Sequence, residues 1–260
     1  MRKGRIFFVG AVVIICGVAL FTIRVEPAKR LTESALSETR AEVSSVGKVT
    51  PEPSFTEFTI DAQEVFKPSD GPLVRGAQST YYRRADGVFA TVRIASGDSR
   101  EASTPEITVG ERGRGVFRVN QVDRKLVFIG PLPADATAPL VEDLKRSDQY
   151  QGEATVLGYP TIILRQQRRD LYIDTYYAPD FQLVIKTVTV RQQGTTIIEP
   201  ASIIAGPIDN TIFTSLADFS IDTSSYRVKL EKAERVQGEA TVAEELRRQL
   251  ENASSPRTRF

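Results

Sequence analysis

The chain has 260 residues, 41% of them hydrophobic, enough to bury the core of one domain or two small ones. Its 34 Lys and Arg against 33 Asp and Glu leave a formal charge of +1, which argues against a nucleic-acid partner held by phosphate neutralisation. There is no His, and the single Cys, Cys16, lies inside an apolar run. Imidazole acid–base chemistry, an intrachain disulfide, and a thiolate nucleophile or Cys/His zinc site in the remaining chain are therefore excluded.

Arg2, Lys3 and Arg5 precede the run 6–23, IFFVGAVVIICGVALFTI, which carries no charge. As a helix it would reach about 27 Å, close to the thickness of a bilayer core. The basic residues ahead of it predict a cytoplasmic N-terminus over 1–5 and a transmembrane signal anchor over 6–23. A cleaved secretory signal is the competing reading; the run exceeds the usual apolar length of such signals and ends without a small-x-small pair. Ile15 before Cys16 is too large for a bacterial lipid-attachment site. Either reading exports the body, and every Asp and Glu lies beyond the run, so the exported part advertises no net basic surface.

Residues 24–53, rich in Ser, Thr, Glu and Ala, read as a stalk or linker, helical or disordered. From Phe55 the texture changes to short β-prone runs separated by turn residues. Phe55–Ile60 is β-rich, and 79–84 with 88–94 forms a hairpin around Asp86-Gly87, whose glycine supplies a positive φ. Arg114–Val119 and Lys125–Ile129 add two strands, and Leu140–Asp148 is a short amphipathic helix after Pro139. Thr155–Leu157 and Thr161–Arg165 precede a three-strand meander of Leu171–Tyr177, Phe181–Val190 and Thr195–Ile204. Its turns are Ala178-Pro179-Asp180, with Pro and Asp placed as in a type I turn, and Gln192-Gln193-Gly194. Ile212, Phe213 and Phe219 read as plugs against the sheet, Thr241–Glu251 as a charged terminal helix, and Ser254–Phe260 as a loose tail. The hexapeptide Gln-Gly-Glu-Ala-Thr-Val occurs at Gln151 and again at Gln237, with flanks that do not match.

Little in this pattern points to bond-making chemistry. Asp170 and Asp174, four apart on a strand, share a face, but strand-edge solvation explains such a pair far more often than catalysis does. Gly110, Gly113 and Gly115 have the look of a phosphate loop, yet they precede a strand where that mechanism needs the start of a helix. Tyr81, Tyr82, Tyr172, Tyr176, Tyr177 and Phe181 cluster around the two hairpins, where aromatics usually pack across strands and a minority line a cavity. No catalytic, cofactor-binding or metal-ligating residue is assigned, and the identity of any ligand-binding residue stays open.

The stretch Gly152–Gly158, then Tyr176-Tyr-Ala-Pro-Asp-Phe181, Gly194, and Ile204–Phe213 in that order resembles exported bacterial proteins of the outer-membrane lipoprotein-sorting (LolA-like) group. The Tyr-Arg-Arg-Ala-Asp-Gly hairpin at Tyr82 fits the same pattern, and the resemblance covers about Phe55 to Phe219. It implies a mainly β (α+β) fold: a curved antiparallel sheet or incomplete barrel over 54–225, with short helices covering its concave side. A C-terminal helix and tail would follow over 226–260. In lipoprotein carriers the hollow receives acyl chains; this chain departs from them in carrying a predicted tether and no Trp. The matched motifs specify turns and strands, so no binding residue transfers.

Three functional readings follow. The first is a non-enzymatic cell-envelope protein, held by a single span in the inner (cytoplasmic) membrane with its body on the periplasmic side, binding a lipid or other apolar ligand in the sheet hollow. The alternative is a structural or protein-interaction subunit of an envelope assembly. A carboxylate hydrolase ranks last.

Overall fold

The computed structural model describes residues 13–14, 17–18, 55–96, 104–134, 138–168, 170–235 and 240–253. The earliest elements are two short strands, β1 (Val13–Ile14) and β2 (Gly17–Val18), paired antiparallel. The body is built from two meanders. The first runs through β3 (Phe58–Pro68), β4 (Val74–Arg83), β5 (Phe89–Ile94), β6 (Glu106–Glu111), β7 (Gly115–Asn120) and β8 (Lys125–Gly130). The second runs through β9 (Tyr150–Val156), β10 (Tyr159–Arg168), β11 (Leu171–Ala178), β12 (Leu183–Arg191) and β13 (Gly194–Ala205).

The last strand of the second meander pairs antiparallel with the first strand of the other, β13 on β3, and so joins both into one sheet. A short β14 (Ser220–Asp222) is added on β8, giving the order β14-β8-β7-β6-β5-β4-β3-β13-β12-β11-β10-β9. The fold is mainly β as expected, but the sheet is mixed, because β14 pairs parallel to β8 and Ile14 stands parallel opposite Val184. A parallel β14 follows from its connection: after β13 the chain crosses to the far edge through helical turns instead of reversing in a hairpin.

The turns behave as their residues dictate. Phe181 N–H donates to the Ala178 carbonyl at 3.3 Å, closing the Pro179-Asp180 turn. Gly87 takes φ +83° between β4 and β5. Leu157 and Gly158 both have positive φ, 49° and 88°, as a two-residue hairpin requires, and join β9 directly to β10.

The sheet bends sharply. Tyr159 opens β10, four strands from β3, which in a flat sheet would be about 19 Å away at roughly 4.8 Å per strand. Yet its ring centroid lies 6.0 Å from that of Phe55, just ahead of β3, and 4.7 Å from Phe181 in the β11–β12 turn. The Phe55 N–H donates to the Asp180 carbonyl at 3.1 Å, so this turn reaches the extension of β3 where β13 has ended. The bend depends on a fork. Pairing of β12 with β13 stops at Thr187 opposite Ile198, while β13 continues along β3 to Ala205 opposite Phe58. Leu183 to Lys186 are thereby released from β13, and Ile14 of β1 stands against Val184 in that stretch.

Helices cover the sheet's outer side. The core formed by Val88, Ala90, Val109, Phe117, Leu126 and Phe128 belongs to the face opposite Phe89 and Val116, by strand alternation. Onto it pack α2 (Thr211–Thr214) through Phe213, α3 (Thr223–Arg235) through Tyr226 and Ala233, and α4 (Ala240–Ala253) through Ala243 and Leu246. Phe213 and Phe219 thus act as the plugs expected of them. On the other arm α1 (Val141–Lys145) sets Leu144 against Ile162, Leu164, Tyr177 and Val184.

One expectation is corrected. Helices α2 to α4 do not lie within the bend, because the inside is already occupied by aromatic rings and the apolar outer face of β5–β8 needs the cover. Of 6–23, expected as one transmembrane helix, the described residues are Val13–Ile14 and Gly17–Val18, which are extended and stand at the strand edge that the fork leaves open. The rest of 6–23, the segment 1–5, the stalk 24–53 and the tail 254–260 lie outside the described residues. Among the described residues no helix is long and apolar enough to cross a membrane.

Candidate functional site

The inside of the bend is lined by Phe58, Ile60, Tyr81, Phe89, Phe181 and Leu183, all buried. Strand register explains the grouping. Ala205, Phe58, Arg83, Phe89, Gly110, Val116 and Gly130 stand opposite one another across β13, β3, β4, β5, β6, β7 and β8, so one row crosses the sheet on one face. The neighbouring row runs Ile203, Ile60, Tyr81, Thr91 and Thr108 on that same face. The rings make a ladder: Tyr81 stacks on Phe89 with centroids 5.7 Å apart, Phe58 lies 5.9 Å from Tyr81, and Phe181 meets Phe58 edge-on at 4.9 Å. Gly110 makes room for the Phe89 ring, since a Cβ there would stand 3.1 Å from Cε2 and nearer still to Cζ and Cε1. At this end of the bend the concave side is filled by the protein's own side chains.

Polar groups interrupt the apolar lining at four places. Arg83 occupies the aromatic row itself; its Nη1 donates to the Phe181 carbonyl at 3.1 Å and its guanidinium stands 5.9 Å from the Phe58 ring centre. Arg112, exposed in the β6–β7 turn, follows Gly110 by two residues. Burial lowers its pKa, and the positive charge of Arg83 lowers it further. Tyr81 is the third: burial pushes its phenol up to about 12, against the opposing pull of Arg83 and Arg112. The fourth is Thr187, whose buried Oγ1 has no hydrogen-bond partner among the described residues, at the last β12–β13 pair before the fork. Tyr177 is also raised by burial and also feels Arg83.

The features singled out in the sequence have structural work. Asp174 pairs across the strands with Arg165 and accepts from Nε at 2.6 Å and Nη2 at 2.7 Å, while Asp170 is exposed in the β10–β11 turn. The two carboxylates therefore form no acid–base pair. The glycines at 110, 113 and 115 serve the β6–β7 hairpin: Gly113 has φ +76°, and a Cβ on Gly115 would stand 2.9 Å from the Gly130 carbonyl oxygen. Among the described residues no group of three acidic or thiol side chains could hold a metal ion. Of the six clustered aromatics, Tyr81 and Phe181 join the lining of the bend. Tyr176 and Tyr172 instead face the cations of Lys186 and Arg165, at 5.5 and 4.6 Å from ring centre to charge.

Sequence reading missed Arg83 and Arg112. The available signal was Arg83's position in the hairpin: it alternates with Tyr81, so whatever face buries the tyrosine also receives the guanidinium.

No family model matches the chain, and no curated protein matches it. Among solved structures it is similar to PNGF-II, at 16% identity and a TM-score of 0.30 over 64% of this chain, which spans 31% of that one. It is similar to the LolA superfamily protein NE2245 from Nitrosomonas europaea, at 6% identity and a TM-score of 0.31, covering 63% of this chain and 92% of that one. It is also similar to LprF from Mycobacterium bovis, at 13% identity and a TM-score of 0.28, covering 60% and 89% of the two chains. One of these structures bears the name of the group that the turn and strand motifs resemble.

Proposed function

We propose that this protein is a non-enzymatic component of a cell envelope that holds a lipid or other apolar ligand at the inside of its sheet bend, and that 6–23 tethers it to the inner membrane with the body on the periplasmic side. The fork carries the reading. One flank of the aromatic-lined bend is left unsealed by sheet hydrogen bonds, and the residues of its margins that join the aromatic cluster, Leu183, Ile185, Ile198 and Ile203, are apolar. A curved sheet with such an opening can admit an acyl chain beside its own rings. An apolar stretch of the chain itself, at Ile14, already lies against this margin. Inserted in a bilayer, the same run would have to satisfy its backbone as a helix and would vacate β12.

The test is binding of a fluorescent long-chain acyl probe to the full chain in mild detergent. Ile185→Glu and Ile203→Glu place charge at the margins and are expected to abolish binding. Val228→Glu on the exposed outer side of α3 leaves it intact. Probe binding that is absent in the parent chain, or indifferent to both marginal charges, refutes the proposal.

One observation favours the alternative of an interaction subunit. Leu73 and Val74 at the tip of the β3–β4 hairpin are 59% and 50% exposed, and Ile94 at the end of β5 is 48% exposed. A stoichiometric partner lost on Leu73→Asp and Val74→Asp, with acyl-probe binding absent, would establish that reading.

A further inference from the structure

We propose that Arg83 and Arg112, with the hydroxyl of Tyr81, form a receptor for one anionic oxygen-bearing group, a phosphate or carboxylate, at the rim of the bend, so that the ligand is an anionic amphiphile. The inference rests on the apolar-ligand reading above and adds the chemistry of the head group.

The argument is one of placement. Arg83 and Tyr81 are two apart on β4 and share the inward face with Phe58 and Phe89. Arg83 spends one donor on the Phe181 carbonyl, and the guanidinium has five. Tyr81 is buried, and its hydroxyl makes no hydrogen bond to any described residue. Arg112 enters from the β6–β7 turn two residues after Gly110, which stands in the same cross-strand row as Arg83, and burial and the charge of Arg83 both lower its pKa. Among the described residues neither cation forms an ion pair. Their neighbours differ: Arg84 pairs with Asp86, Arg93 with Glu64 and Arg114 with Glu111. Two guanidiniums at the same end of the inward row beside a buried phenol, with no carboxylate paired to either among the described residues, leave donors without an acceptor. A single anionic group would relieve the repulsion and take charge-assisted hydrogen bonds from both. Because Arg83 lies in the row of rings, a head group bound there would place its chain among Phe58, Phe181 and Leu183.

The experiment compares three probes on the full chain in detergent by native mass spectrometry and by competition with the acyl probe: dioleoylphosphatidate, dioleoylglycerol and inorganic phosphate. The phosphatidate is expected to bind roughly tenfold to a hundredfold more tightly than the neutral diacylglycerol, the span of one or two charge-assisted hydrogen bonds. Arg112→Met, an exposed turn substitution, removes most of that preference, read as the ratio of phosphatidate to diacylglycerol affinity within the same variant. Arg83→Met removes the rest. Circular dichroism identifies any Arg83→Met sample that has unfolded through loss of the Phe181 contact, in which case Arg112→Met alone decides. Equal binding of both lipids, or a preference that survives Arg112→Met, overturns the head-group receptor while the apolar site stands. Phosphate binding that is lost in Arg112→Met, with neither lipid bound, supports the anion receptor and overturns the apolar site.

Discussion

Replacing Gly110 by Ala tests whether the aromatic row is as tightly packed as its register implies. The residue has no positive φ, so the substitution is opposed by space and not by backbone strain. The new Cβ would overlap the Phe89 ring, which is buried and stacked on Tyr81, so the ring has no free direction in which to yield. Overpacking of this kind costs about 1–3 kcal/mol. In a domain of this size that is a fall in Tm of roughly 2–12 °C, at about 2–4 °C per kcal/mol. The decisive comparison is a double-mutant cycle. Phe89→Ala alone should cost about 3–5 kcal/mol through the cavity it leaves. With that ring gone, Gly110→Ala should turn neutral or stabilising by about 0.5–1 kcal/mol, since Ala is the better residue inside a strand. Urea unfolding of the full chain in detergent, followed by circular dichroism, measures all four proteins. If Gly110→Ala leaves the parent's stability unchanged, or costs the same in both backgrounds, the packing of the inward row is wrong and so is the placement of Arg83 within it.

Two further predictions concern the outer face. Asp222 caps α3: its carboxylate accepts from the Ser224 hydroxyl at 2.5 Å and the Ser224 N–H at 3.0 Å, and these bonds hold its pKa below the ordinary carboxylate value. A depressed folded-state pKa contributes stability that is present above the unfolded value, near 3.9, and is lost as pH falls through the folded one. Asp222→Ala should therefore cost about 1 kcal/mol in urea unfolding at neutral pH, with the gap to the parent closing below about pH 4. Tyr226→Phe removes a donor whose hydroxyl reaches the Arg114 carbonyl at 2.5 Å, both residues being buried. Stranding that acceptor should cost about 1–3 kcal/mol by thermal unfolding, although the ring keeps its stack on Phe128 at 3.9 Å.

Much of the sheet could be read in advance because its turns are local. The Asp86-Gly87 hairpin and the Pro179-Asp180 turn carry their chemistry in adjacent residues, and β12 and β13 lie within two residues of their expected bounds. Where the signal was mixed the reading failed. Leu157 in a left-handed conformation is not a residue that announces a turn, so the β9–β10 hairpin was read as separate runs. Helix α3 has the spacing of Tyr226, Leu230 and Ala233 behind a capping Asp222, but the run Thr223-Ser224-Ser225 at its start favours turns as readily as helix. The repeated hexapeptide makes the point with identical letters: Ala154-Thr155-Val156 is strand in β9, and Ala240-Thr241-Val242 is helix in α4. Three residues with the same local preferences go where their neighbours bury them, Val242 against the outer core and Val156 against the aromatic cluster.

The candidate site was the least legible part, because no segment contains it. Phe58, Arg83, Gly110 and Phe181 are spread over more than a hundred residues and meet only through the register of β3 to β6 and the return of the β11–β12 turn. What a single strand does display is a conflict. On β4 the inward positions read Ser79, Tyr81 and Arg83, so a guanidinium continues a face that is being buried. Packing alone would place an apolar side chain there, as Phe58 and Phe89 do on either side. A charge retained among rings, with a second cation near it and no carboxylate paired to either among the described residues, costs stability that a purely structural position has no reason to give up. That local contradiction, more than any motif, is why the site is assigned to recognition of a negative group and not to the scaffold.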